Sequence, residues 1–148
     1  MPLRDPIFFI DKCLGLKVVP AALRACGLTV ELKTDHFPQE TPDSQWLTEV
    51  GKRGWIVLSK DQNLKHNHLE IVALLKSNTH SFILMSAQLT GDEMAQAFIT
   101  AMPQIKNIIA KQPPPLVATV TKEGEVRITH TYDELTKSLP STEVKKKK

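Results

Sequence analysis

The sequence predicts a three-layer α/β/α sandwich with a mostly parallel central sheet of about four strands and a C-terminal β-hairpin. Short apolar runs that do not alternate, among them Ile7-Phe8-Phe9-Ile10 and Trp55-Ile56-Val57-Leu58, recur along the chain. Such runs mark strands buried on both faces. Segments with helical apolar spacing separate them, so strand and helix alternate as a parallel sheet requires. A length of 148 residues suits one ordinary core and not two full-sized domains.

The first strand, residues 7–10, stops at Asp11. Leu16, Val19, Leu23 and Cys26 then recur at helical spacing, Pro20 suits a first helical turn, and Gly27 stands where a left-handed cap belongs. Residues 29–32 read as a second strand and residues 33–41, rich in Asp, His, Pro and Gln, as a connecting loop. Thr41-Pro42 reads as an N-cap and first-turn proline for a helix whose apolar stripe is Trp46, Leu47 and Val50 and which ends near residues 51–54. Asp43 lies in its opening turn. The third strand, residues 55–59, stops at Lys60-Asp61. A helix over residues 64–76 and a fourth strand over residues 81–86 follow.

Thr90-Gly91-Asp92-Glu93 is a capping box. It opens a helix with Met94, Ala97, Phe98, Ala101, Ile105 and Ile108 on one face, which Pro103 is expected to kink or interrupt. After the stiff Pro113-Pro114-Pro115 spacer, residues 117–121 and 125–129 flank Lys122-Glu123-Gly124 as a hairpin with a three-residue turn. The expected organisation is a domain over residues 1–112, a spacer with an appended hairpin over 113–137, and a disordered Lys-rich tail over 138–148.

The formal charge of +3 says little about nucleic acid, because the terminal lysines supply four of the 19 basic residues and leave 15 against 16 acidic ones. No apolar run approaches the roughly 20 residues of a membrane-spanning helix. The first residues lack the features of a secretion signal, so a cytoplasmic location is expected. Cys13 and Cys26 are too few for a disulfide framework and are expected as free, buried thiols.

Asp11 and Asp61 each follow a buried strand, and adjacent parallel strands would bring both side chains to one edge of the sheet, where such folds place their reactive crevice. Asp43 opens the helix that leads back to the Asp61 strand and so belongs to the same edge. Three clustered carboxylates repel one another, and a divalent cation relieves that repulsion. Oxygen donors without His or Cys at suitable spacing favour Mg²⁺ or Mn²⁺ over Zn²⁺. Such an ion suits phosphodiester hydrolysis. Asp11, Asp43 and Asp61 are therefore the expected metal ligands and catalytic residues, with Lys60 as a phosphate contact.

The blocks Phe8-Phe9-Ile10-Asp11-Lys12-Cys13-Leu14-Gly15, Ala22-Leu23-Arg24-Ala25-Cys26-Gly27, Asp43-Ser44-Gln45-Trp46-Leu47 and Gly54-Trp55-Ile56-Val57-Leu58-Ser59-Lys60-Asp61 carry a resemblance. In order and spacing they resemble the PIN-like domains related to VapC toxins, over approximately residues 7–110. That resemblance implies a PIN-like fold and RNA cleavage with bound Mg²⁺ or Mn²⁺. It also implies an antitoxin partner, a homodimer, and metal-ligand roles for Asp11, Asp43 and Asp61. The interval between Asp11 and Asp43 lacks the helical insertion that usually carries a glutamate ligand, which leaves Glu49 and Asp35 as candidates for a fourth acid. A catalytically silent PIN-like module that binds RNA or a protein is the alternative; a receiver-like phosphate-handling enzyme is a third.

Other residues read as structural. His66 and His68 are two apart on a helix and point to different faces, and His36 is a loop residue. Trp46 and Trp55 belong to apolar stripes and are expected in the core. Ser59 lacks nucleophile-elbow glycines, and no Gly-rich phosphate loop occurs.

Overall fold

A computed structural model describes residues 6–15, 17–38, 40–60, 77–85 and 88–131; for Asp43, Ser44 and His130 the description is of the backbone. The expected helix over residues 64–76, with His66 and His68, and the tail from residue 138 lie outside the described residues, as does Asp61.

Strands β1 (Ile7–Ile10), β2 (Thr29–Leu32), β3 (Ile56–Ser59), β4 (His80–Leu84), β5 (Leu116–Val120) and β6 (Val126–His130) form one sheet in the order β2-β1-β3-β4-β5-β6. Every neighbouring pair is parallel except β5 and β6. The four-residue runs that end at Asp11 and Lys60 are thus adjacent inner strands. The hairpin forms at the expected turn, with Gly124 at φ +86°, and it joins the sheet instead of lying beside it. The reason is visible in β5, whose five residues are all buried and pair in register with β4 from His80 to Leu84.

Alternating side chains divide the core. Phe8, Ile10, Ile56, Leu58, Phe82, Leu84 and Ala118 face α1 (Val18–Ala25) and a 21-residue helix, Gly91–Lys111. On the opposite side, Phe9, Val57, Ile83 and Val117 pack with Trp46, Leu47 and Val50. These last three are the stripe of another helix, Asp43–Arg53. Between β2 and that helix lies α2 (Lys33–His36), one helical turn where the sequence predicts loop. The Asp43–Arg53 and Gly91–Lys111 helices are accordingly α3 and α4.

The capping box of α4 is formed: Glu93 N–H donates to Thr90 Oγ1, and Thr90 N–H to Glu93 Oε1. Helix α4 runs through Pro103, which is exposed, while Phe98, Ala101, Met102 and Ile105 on its buried face hold both sides of the proline to the core. Helix α3 begins one residue later than expected, with Pro42 as its N-cap: Pro42 carbonyl accepts the Gln45 and Trp46 N–H groups. At its far end Gly54 takes a left-handed conformation, which lets Trp55 N–H return to Val50 O. Cys13 is half-buried, whereas Cys26 is exposed, contrary to the expectation of two buried thiols. Helix α1 stops at Ala25, so Cys26 falls on the turn that leads to Gly27 instead of on the apolar stripe. No helix among the described residues is long and apolar enough to cross a membrane.

Two stability predictions follow from this packing. A Cβ at Gly51 would collide with the backbone carbonyl of Ser77, just before β4. Alanine is the better helix former by about 0.8–1 kcal/mol, but overlap with backbone is hard to relieve and costs about 1–3 kcal/mol or more. Gly51→Ala is therefore expected to lower the urea-unfolding free energy, by about 1–2 kcal/mol net. His80 is buried at the start of β4, with Nε2 donating to Gln112 O at 2.7 Å. Burial holds its pKa below the ordinary 6.5, against the opposing pull of the Gln112 carbonyl. The unfolded chain then takes up a proton at higher pH than the folded one, so stability falls as pH drops below about 6.5 and levels off beneath the folded-state pKa. Urea titrations across pH 7.5 to 5 should show this loss, and His80→Gln should flatten it.

Candidate metal centre at the carboxyl rim

Asp11 continues β1 in extended backbone, with φ −68° and ψ 146°, and its N–H donates to Leu58 O at 3.0 Å. It lies two residues beyond Phe9 and thus on the α3 side of the sheet. The chain then turns sharply through a 3₁₀ segment, Lys12–Leu14, with Leu14 N–H bonded to Asp11 O. This halts the strand and leaves the carboxyl group at its end, where it is only 6% exposed.

Parallel registers select its neighbours. Ile10 is opposite Leu32 in β2 and Leu58 in β3, so the next row across the sheet reads Lys33, Asp11, Ser59. Ser59, fully buried, donates from Oγ to Asp11 Oδ2 at 2.9 Å. Lys33 Nζ stands 3.6 Å from Asp11 Oδ1, with its side chain 14% exposed. The same ammonium lies 5.0 Å from the centroid of the Trp46 ring, within cation–π range. Cys13 Sγ accepts Lys60 N–H at 3.3 Å and lies 3.4 Å from Ser59 Oγ. Because the Ser59 proton goes to Asp11, the thiol donates in this second contact. Lys60 N–H, Cys13, Ser59 and Asp11 thereby form one hydrogen-bonded run that ties the exit of β3 to the carboxylate.

The expected site residues have different standings. Asp11 is buried at the rim. Asp43 is the first residue of α3, one turn before Trp46, so its backbone belongs to the turn that leads onto the ring under Lys33. Lys60 is half-buried, next to Ser59. Asp61 lies outside the described residues, two positions after Ser59. Among the described residues, no group of three or more His, Cys, Asp or Glu could hold a metal ion. Of the two candidate fourth acids, Asp35 is exposed on α2, and Glu49 accepts from Arg53 Nε at 2.9 Å on the outer part of α3. His36 pairs with Glu31 at 2.7 Å. Trp46 is fully buried against Phe9, and Trp55, half-buried, stacks on the same ring.

Lys33 and the structural use of Ser59 and Cys13 escaped sequence reasoning. A usable signal existed for the first two: aligning the ends of three parallel strands places Lys33 and Ser59 beside Asp11. Among the described residues the rim offers one carboxylate, Asp11, with Oδ2 held by Ser59 and Oδ1 facing the Lys33 ammonium at 3.6 Å.

The chain belongs to the PIN-like domain family, whose model matches residues 6–86. This stretch runs from the entry to β1 through the end of β4 and contains Asp11, Lys33 and Ser59. Among curated proteins, the Mycobacterium tuberculosis protein named "Putative ribonuclease VapC45" is 27% identical over 124 residues, covering 81% of this chain and 89% of that protein. No solved structure gives a significant match.

Ser59→Ala should leave Asp11 Oδ2 without its buried donor. A hydrogen bond to a charged group contributes about 1.5–3 kcal/mol, and a loss of this size is expected in urea unfolding of the metal-stripped protein.

Proposed function

We propose that this protein is a Mg²⁺- or Mn²⁺-dependent endoribonuclease of toxin–antitoxin type, with Asp11, Asp43 and Asp61 holding the ion. The observation that carries the proposal is the buried Asp11 carboxylate, presented at the carboxyl rim with one oxygen fixed by Ser59, in a chain of the PIN-like family. The name of the curated relative supports RNA as the substrate. A bound divalent ion would supply water activation and neutralise charge on a phosphate oxygen. Ser59 orients the Asp11 carboxylate, and the Cys13 bridge to Lys60 N–H ties down the exit of β3. Lys60 then contacts the phosphate as a point charge.

A cleft of about 590 Å³ lies on the same rim, between the ends of β4 and β5 and the start of β6, lined in part by Met85, Thr119, Thr121 and Arg127. It offers room for an RNA strand beyond the cut. A cytoplasmic location, a cognate antitoxin and a homodimer complete the proposal.

A catalytically silent module that binds RNA or protein is the second reading, favoured by the short interval between Asp11 and Asp43, which lacks the insertion that would carry a fourth acid. Incubating the purified protein with a mixed pool of end-labelled RNA, with Mn²⁺, Mg²⁺ or a chelator, separates the two. Metal-dependent cleavage that falls more than about a hundredfold in Asp11→Asn and in Asp61→Asn supports the nuclease. Equal cutting by wild type and variants rejects the assignment. Binding without cutting selects the silent module.

A further inference from the structure

We propose that Arg127 is a phosphate contact for single-stranded RNA, and that the cleft beside it holds one nucleotide of a strand running along the carboxyl rim of the sheet past Asp11. The inference rests on RNA as the substrate and on no metal ion.

Strand register places the two ends of this path. Ser59 pairs with Ile83, Ile83 with Thr119 and Thr119 with Arg127, so the row that begins Lys33, Asp11, Ser59 continues across the sheet to Arg127. Side chains in one row point to one face. Asp11 and Arg127 therefore share the α3 side of the sheet, four strand spacings, roughly 19 Å, apart. At one end Asp11 is buried and paired. At the other Arg127 is exposed, and among the described residues no carboxylate pairs with its guanidinium. The other described arginines are engaged: Arg24 donates to Val30 O, and Arg53 donates to Glu49 while lying over the Trp55 ring.

The polar groups that line the cleft with Arg127 are turned into donors by the bonds they already accept. Gln104 Oε1 accepts Val126 N–H at 3.3 Å, which leaves the amide NH₂ to donate. Thr121 Oγ1 accepts Glu125 N–H at 3.0 Å, which leaves the hydroxyl proton to donate. Guanidinium, amide and hydroxyl together suit the oxygens of a phosphate. Met85, 41% exposed just past β4, adds a polarizable apolar surface on which a base can rest. A volume of about 590 Å³ lies within the range of sites that hold small organic ligands. A base is available to such a site only when it is unpaired, which selects a single strand. Glu125 lines the same cleft and repels a phosphate there, so the two neighbouring charges should act on RNA with opposite sign.

The test is fluorescence anisotropy of a short labelled single-stranded RNA of mixed sequence, titrated with the full chain in chelator so that nothing is cut. Arg127→Gln is expected to bind about tenfold more weakly, and its plot of log affinity against log salt should be shallower by about 0.7. Arg127→Lys should restore the slope, since the charge returns. Lys106→Gln removes the same charge from an exposed position beside Pro6 and Thr29 at the opposite rim, and should match wild type. Wild-type affinity and slope in Arg127→Gln overturn the proposal, as does equal weakening in Lys106→Gln. Should Arg127→Gln fail to fold, Glu125→Gln decides: severalfold tighter binding is expected, and unchanged affinity overturns the assignment. A wild type that binds no RNA removes the RNA reading itself, and this proposal with it.

Discussion

A carboxylate buried at the end of an inner parallel strand has to be compensated, and the region around Asp11 is organised by that demand. Asp11 leaves β1 where the strand stops, almost out of reach of water. Its partners come from either side: the Ser59 hydroxyl from β3 and the Lys33 ammonium from the first residue of α2, just past the end of β2. Neither pairing depends on a long excursion of side chain or loop. Both follow from the order β2-β1-β3 and a register that puts Leu32, Ile10 and Leu58 in one row.

The apolar interior makes this row dependable. A one-residue slip in β1 would carry Phe9 from the α3 cluster to the α1 and α4 side and take Asp11 with it, so the packing that fixes Phe9 also fixes the carboxylate. Trp46 links the two levels. Its buried ring contacts Phe9 within the core, while its face holds the Lys33 ammonium at the rim. Close approach of α3 to the chain before β4 at Gly51 completes the same layer. Stability and site geometry thus share residues, and a change to one is felt by the other.

The compensation also bears on chemistry. Asp11 has one oxygen hydrogen-bonded to Ser59 and the other paired with the Lys33 ammonium at 3.6 Å. Membership of the PIN-like family and the relation to a protein named as a ribonuclease give that arrangement its context.

Much of the fold was legible in the residues. Non-alternating runs at 7–10 and 55–59 marked the inner strands, a capping box marked the start of α4, and Asp11 was placed at a strand's end. Less legible were the joining of the hairpin to the sheet, the helical turn of α2, and the uninterrupted course of α4 through Pro103. The hairpin and the course of α4 were decided by burial against distant elements, which local propensity does not register, whereas the α2 turn buries no residue.

For the site the division is similar. The sequence by itself determined which acids stand at the ends of apolar runs, because hydrophobic patterning locates where a strand must stop. Only the tertiary structure decided that Lys33 and Ser59 flank Asp11 and that Trp46 underlies the lysine. Strand order and register are long-range properties, set by how the layers fill space together, and no stretch of chain states them alone.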